Sequence, residues 1–140
     1  MGSGRLVGNS FNLILSLRHN ADATRLGEWE ASFARASALL FDATDGQHQL
    51  GTIFVCNNSS GGRNADAWLL DPDGRSFANI LGLGSETAHM TLYGDERFKP
   101  FIIVHEFGHY AYDEYEGPWR RGRMHRRDHQ RRLHHGVGLE

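Results

Sequence analysis

Apolar and polar residues alternate along the segment SFNLILSLR, residues 10–18, which predicts a strand with one buried face. The following segment, residues 23–41, instead places apolar side chains three or four positions apart, beginning with Leu26, Trp29 and Phe33. This spacing is typical of an amphipathic helix that packs on a core through one face. The chain therefore starts with a predicted strand followed by a long predicted helix.

Shorter patterns follow in the second half of the chain. The run LGTIFVC at residues 50–56 is rich in β-branched and aromatic residues and predicts a second strand. Short strands are predicted at residues 67–71 and 89–93, and the turn sequence DPDG indicates a hairpin after the first of them. Residues 76–86 are interrupted by glycine and predict no regular element. A last helix is predicted over residues 101–115, directly after a proline.

Together these elements predict a mixed α/β (α+β) fold, with a small twisted mixed sheet, a long N-terminal helix and a later second helix. We expect an antiparallel edge strand in the sheet, at residues 67–71 or 89–93. The length of 140 residues suits one domain, and the single cysteine, Cys56, excludes an intrachain disulfide. No apolar stretch approaches the roughly 20 residues that span a bilayer, and residues 1–17 contain no recognisable export signal.

Charge is distributed unevenly along the chain. Residues 120–140 hold seven arginines against two acidic residues, whereas residues 1–119 hold eight basic and fifteen acidic side chains. We therefore predict a folded domain over residues 1–119 and a disordered Arg/His-rich tail over residues 120–140. The acidic body is not expected to bind nucleic acid. The tail is interpreted as an out-of-frame or truncated end, with a polyanion-binding arm and an ordinary solvated tail as alternatives.

The string VHEFGH carries the candidate chemistry, because His105, Glu106 and His109 form an HExxH motif on the last predicted helix. Histidines four residues apart project from one helical face, so both imidazoles can reach one zinc ion at roughly 2.0 Å. Glu106 can polarise a zinc-bound water and pass its proton to the leaving amine. Ile103 and Phe107 lie on the opposite side of the helix, which we expect to pack against the sheet together with Tyr110.

The wider string resembles the zincin-type metallohydrolase domain of calcium-activated chloride channel regulator proteins and their bacterial relatives. That family has the pattern HExxHxxxGxxDE followed by an aromatic residue, and this chain reads HEFGHYAYDEY from His105 to Tyr115. The resemblance extends over residues 10–118. It implies a zincin-like fold, an exported or cell-surface protein, zinc on His105 and His109, Glu106 as general base, and Asp113 as the third ligand.

The segment after His109 is three residues shorter than the family pattern and lacks its glycine. In an unbroken helix Asp113 would lie about 12 Å along the axis from His105, so one ion could bind both only if the helix ends early. Other candidates for the third ligand are Cys56, His89, Glu114, Glu116 and a histidine of the tail. A site with two histidines alone is a further alternative.

The motif in this context predicts a zinc-dependent metallopeptidase that hydrolyses peptide or protein substrates. The alternative is a catalytically inactive zincin-like interaction module whose metal site was lost with the three residues. A nucleic-acid binder acting through the tail is a third possibility. Localisation stays open between the exported protein implied by the resemblance and a cytoplasmic one, since no signal peptide is recognisable.

Overall fold

The computed structural model describes residues 4–79, 82–83 and 88–112, and this part of the chain forms a mixed sheet with two helices. The strands are β1 (Arg5–Val7), β2 (Ser10–Leu17), β3 (Gln49–Cys56), β4 (Ala67–Leu69), β5 (Phe77–Ala78) and β6 (Met90–Leu92). The helices are α1 (Ala23–Ala43) and α2 (Pro100–Tyr112). The predicted mixed α/β fold, with its long N-terminal helix and its second helix carrying the HExxH motif, is confirmed.

The sheet is built outward from β2, which pairs in parallel with β3 on one side and with β4 on the other. β4 pairs in parallel with β6, and β5 closes this side of the sheet as an antiparallel strand beside β6. β1 pairs antiparallel with the first half of β2. The strand order is therefore β3-β2-β4-β6-β5, with β1 and β4 sharing one edge of β2.

One face of α1 covers the sheet, as its apolar spacing predicts. Trp29, Phe33, Ala36 and Leu40 are buried, and together with the leucines of β2 they form part of the core. Asp22 caps the helix by accepting a hydrogen bond from the Arg25 amide at 2.8 Å. Because α1 and α2 pack against each other as well as against strands, the core joins both helices to the sheet.

The parallel pairing corrects two predictions. The segment at residues 67–71 is not part of a hairpin, because β4 pairs with β2 and β6 and not with β5, the next strand along the chain. The later strand β6 lies between β4 and β5 in the sheet. The antiparallel edge strand is also neither β4 nor β6, both of which have neighbours on two sides. Phe77–Ala78 and β1 are instead the antiparallel strands at edges of the described sheet. Phe77–Ala78 lies within the segment predicted to be irregular, because a two-residue strand leaves no periodicity to detect.

Some predictions fall outside the described residues: the end of the last helix, Asp113, the domain boundary at residue 119, and the tail at residues 120–140. Within the described ranges, neither helix is both long and apolar enough to cross a membrane.

Candidate metal centre

The helix α2 has the two-sided character expected of a helix that carries a metal site. Ile103, Phe107 and Tyr110 are 2%, 2% and 0% exposed, so this side is packed in the core as predicted. His105 and His109 lie on the other side and are half-buried. The helix therefore holds both imidazoles at a surface while its apolar face fixes it to the sheet.

The two histidine rings lie close to each other. Their centroids lie 4.9 Å apart and their planes are almost perpendicular, at 89°. Two imidazoles that share one tetrahedral zinc ion have centroids about 5 Å apart, given a Zn–N distance of about 2.0 Å. Imidazole nitrogen is also a ligand that zinc prefers. The spacing and chemistry of His105 and His109 thus fit two ligands of one ion.

Glu106 lies next to this pair and is buried, with 7% of its surface exposed. A carboxylate in such a place is shielded from bulk water, which strengthens its electrostatic interaction with a nearby cation or proton donor. Glu106 therefore lies on the same helix turn as His105, with little exposure to bulk water.

A buried polar pair anchors α2 beneath these residues. The Tyr110 hydroxyl donates to Asp66 Oδ1 at 2.6 Å, and both side chains are 0% exposed. The carboxylate also accepts from the amides of Gly4 at 2.7 Å and Ile14 at 2.8 Å. Asp66 thus connects the metal-motif helix to β2 and to the first described residue of the chain.

Burial raises the pKa of the Asp66 carboxyl above its ordinary value, and the hydrogen bonds from Tyr110, Gly4 and Ile14 oppose that rise. Burial also raises the pKa of Tyr110 well above its usual range, with further contributions from the hydrogen bond to Asp66 and from its charge. Tyr110 therefore stays a proton donor to Asp66 throughout the physiological pH range.

The edge strand β5 contacts α2, and polar side chains hold the segment that leads to it. Asp95 accepts from the Gly74 amide at 3.0 Å, and Glu96 accepts from the Ser76 amide at 2.9 Å. On the C-terminal side of β5, Gly82 lies so close to Tyr110 that an added Cβ would come within 2.5 Å of its ring. The position of β5 over α2 is therefore set from both sides.

The C-terminal end of α2 is held by a cluster of aromatic rings. Phe11 lies edge-to-face against Phe107, with centroids 4.9 Å apart, and also against His48 and Tyr112. His48 Nδ1 and the Tyr112 hydroxyl are 2.6 Å apart. These contacts fix the helix up to Tyr112, the last described residue.

The described part of the chain includes two of the candidate third ligands, Cys56 and His89. Among residues 4–79, 82–83 and 88–112, no group of three His, Cys, Asp or Glu side chains is arranged to hold a metal ion. Neither Cys56 nor His89 therefore forms such a group with His105 and His109, and the ring of His89 stacks on Trp68 with centroids 4.0 Å apart. Asp113, Glu114, Glu116 and the tail histidines lie outside the described residues, so they stay predictions.

The Asp66–Tyr110 pair is the part of this region that the sequence did not reveal. Asp66 lies in a polar stretch before β4 that resembles any solvent-exposed loop, and Tyr110 was expected only to pack. Their contact joins residues 44 positions apart, which no local pattern can indicate.

Comparison with known proteins gives one distant structural similarity. No protein-family model and no curated protein matches this chain. Among solved structures, the chain is similar to the structure of myroilysin, at 14% sequence identity and a TM-score of 0.36. The match covers 76% of this chain and 52% of the myroilysin chain, so this chain spans about half the length of that neighbour. A similarity of this degree carries no argument about this chain.

Proposed function

We propose that this chain is a zinc-dependent metallopeptidase domain that hydrolyses peptide bonds. The observation that carries the proposal is the pairing of His105 and His109 across 4.9 Å, with the buried Glu106 beside them on α2. Two nitrogen ligands and an adjacent carboxylate are the components of metal-assisted hydrolysis that one helical turn can supply. Asp113 is proposed as the third ligand, in line with the family pattern.

His105 and His109 would hold the ion, and Glu106 would accept a proton from the attacking water and deliver it to the leaving amine. When bound, zinc supplies a water of lowered pKa and polarises the scissile carbonyl. The substrate would lie in an extended conformation beside β5, since β5 is an edge strand in contact with α2. Main-chain hydrogen bonds to such an edge orient a peptide without requiring a particular sequence.

Zinc content and peptide hydrolysis of the full chain test this proposal. We expect one zinc per chain by elemental analysis, and we expect His105→Ala to lose it. His89→Ala is the matched control. Because His89 stacks on Trp68, this substitution should leave the zinc content unchanged.

Peptide hydrolysis tests the role of Glu106. Glu106→Gln should keep the zinc but reduce hydrolysis by at least about a hundredfold, as expected when a general base is removed. Hydrolysis at the wild-type rate in Glu106→Gln would refute the assigned role.

The second candidate function is a zincin-like interaction module without activity. It is favoured by the three residues that are missing between His109 and Asp113 relative to the family pattern. A chain that folds, binds less than a tenth of one zinc, and shows the same content in His105→Ala would support this candidate instead.

A further inference from the structure

The strand β3 presents an unusual edge to solvent. Within the described residues it pairs only with β2, so its other edge has no strand neighbour. One end of that edge is shielded, because the Ser37 hydroxyl of α1 accepts from the Leu50 amide at 3.0 Å and lies 3.2 Å from the Leu50 carbonyl oxygen. Beyond Leu50 the edge is open as far as Cys56.

Apolar side chains are exposed on both faces of this open segment. Val55 lies on the face covered by α1, opposite Leu15 in the β2–β3 ladder, yet it is 52% exposed. Phe54 lies on the opposite face, paired with Ile14, and is 63% exposed. Adjacent residues of a strand point to opposite faces, so neither face of β3 is adequately covered.

The exposure of Val55 coincides with a groove of about 690 Å³ between α1 and β3. Its walls are mainly apolar and include Leu15, Leu26, Trp29, Phe33 and Ile53. A small molecule in this groove would cover Val55 but leave Phe54 exposed, whereas a helix on the other face would do the reverse. A strand added to the edge of β3 pairs its open backbone groups and brings side chains beside both Phe54 and Val55.

The charge of β3 indicates which strand would fit. The sequence QLGTIFVC contains no charged residue and no proline, the two devices that usually protect an edge from pairing. A partner strand with charged side chains would place them beside Phe54 and Val55, whereas a second copy of β3 places uncharged side chains there. A pairing centred on Phe54 would oppose the two Phe54 side chains and would place Ile53 opposite Val55 of the second copy. Such aromatic and β-branched cross-strand pairs are favourable.

We propose that the edge of β3 is a homodimer interface, at which β3 pairs antiparallel with β3 of a second copy and the two α1–β3 grooves become covered. The interface is isologous and closes after two copies, because each copy uses the same edge. It lies at the end of the sheet opposite β5, so it leaves the proposed peptide-binding edge open.

Sedimentation velocity of the full chain under reducing conditions tests the proposal. We expect a dimer at micromolar concentration, and Phe54→Lys should weaken dimerisation at least about tenfold, because two lysines would then face each other across the two-fold axis. Phe77→Lys is the matched control, since Phe77 is a similarly exposed phenylalanine, at 52%, on the other edge strand. It should leave the dimer unchanged. Thr52→Lys offers the same test at a second exposed position if Phe54→Lys does not fold.

Crosslinking tests the register separately. A pairing centred on Phe54 places residue 52 opposite Cys56 of the second copy, so Thr52→Cys should form covalent dimers on mild oxidation while Thr24→Cys, on α1, should not. A wild-type chain that is folded and monomeric at 100 times the concentration of the first experiment would overturn the proposal. A dimer equally sensitive, or equally insensitive, to Phe54→Lys and Phe77→Lys would overturn it as well.

Discussion

Removal of one hydroxyl group by Tyr110→Phe should destabilise the fold measurably. The change deletes the donor to Asp66 Oδ1, at 2.6 Å, and alters no other atom of a fully buried ring. No solvent reaches the carboxylate to replace the lost bond, and two backbone donors, from Gly4 and Ile14, remain. A buried hydrogen bond to a charged group contributes about 1.5–3 kcal/mol. We therefore expect the free energy of unfolding to fall by about 2 kcal/mol at pH 7.5.

The size of this effect should depend on pH. The pKa of Asp66 is raised in the folded state, so its contribution to stability is complete below the unfolded pKa and declines as the pH rises through the folded value. The bond from Tyr110 lowers that pKa, so Tyr110→Phe raises it further and extends the decline in stability to higher pH. At a pH acidic enough to protonate this carboxyl, only a neutral hydrogen bond is lost, and the expected cost falls to about 1 kcal/mol.

Urea denaturation followed by circular dichroism at that acidic pH and at pH 7.5 measures both values, with EDTA present so that metal binding does not contribute. Tyr112→Phe is the matched control, because its hydroxyl lies 2.6 Å from His48 Nδ1 but the side chain is only half-buried. We expect it to cost about 1 kcal/mol at pH 7.5. If Tyr110→Phe costs no more than Tyr112→Phe, or costs the same at both pH values, the reasoning about Asp66 is wrong.

Three further substitutions test local features by the same denaturation assay. Asp22→Ala removes the cap of α1 and should cost about 1 kcal/mol, whereas Asp22→Asn should cost much less. Gly82→Ala forces a methyl group within 2.5 Å of the Tyr110 ring and should cost about 1–3 kcal/mol; a neutral result would mean that this segment can move away. Ser37→Ala removes the hydrogen bonds to the Leu50 backbone and should cost about 1–3 kcal/mol, with Ser37→Thr as the conservative control.

The sequence by itself determined the elements whose pattern repeats over many residues. The periodicities of α1, β2 and β3 predicted these elements to within a few residues of their observed ends, because each buries one face and must repeat apolar residues at the period of its backbone. The HExxH spacing determined that His105 and His109 share a face of α2, since that follows from helical geometry alone. The same geometry predicted that Phe107 is buried.

Only the tertiary structure decided how these elements are paired. The parallel position of β4 between β2 and β6, and the edge position of Phe77–Ala78, depend on contacts between distant segments that leave no local signal. The same holds for Asp66, for which no local pattern predicted burial. Its carboxylate is buried because Tyr110 and two amides supply the hydrogen bonds that offset part of its desolvation, and those three donors meet only in the folded chain.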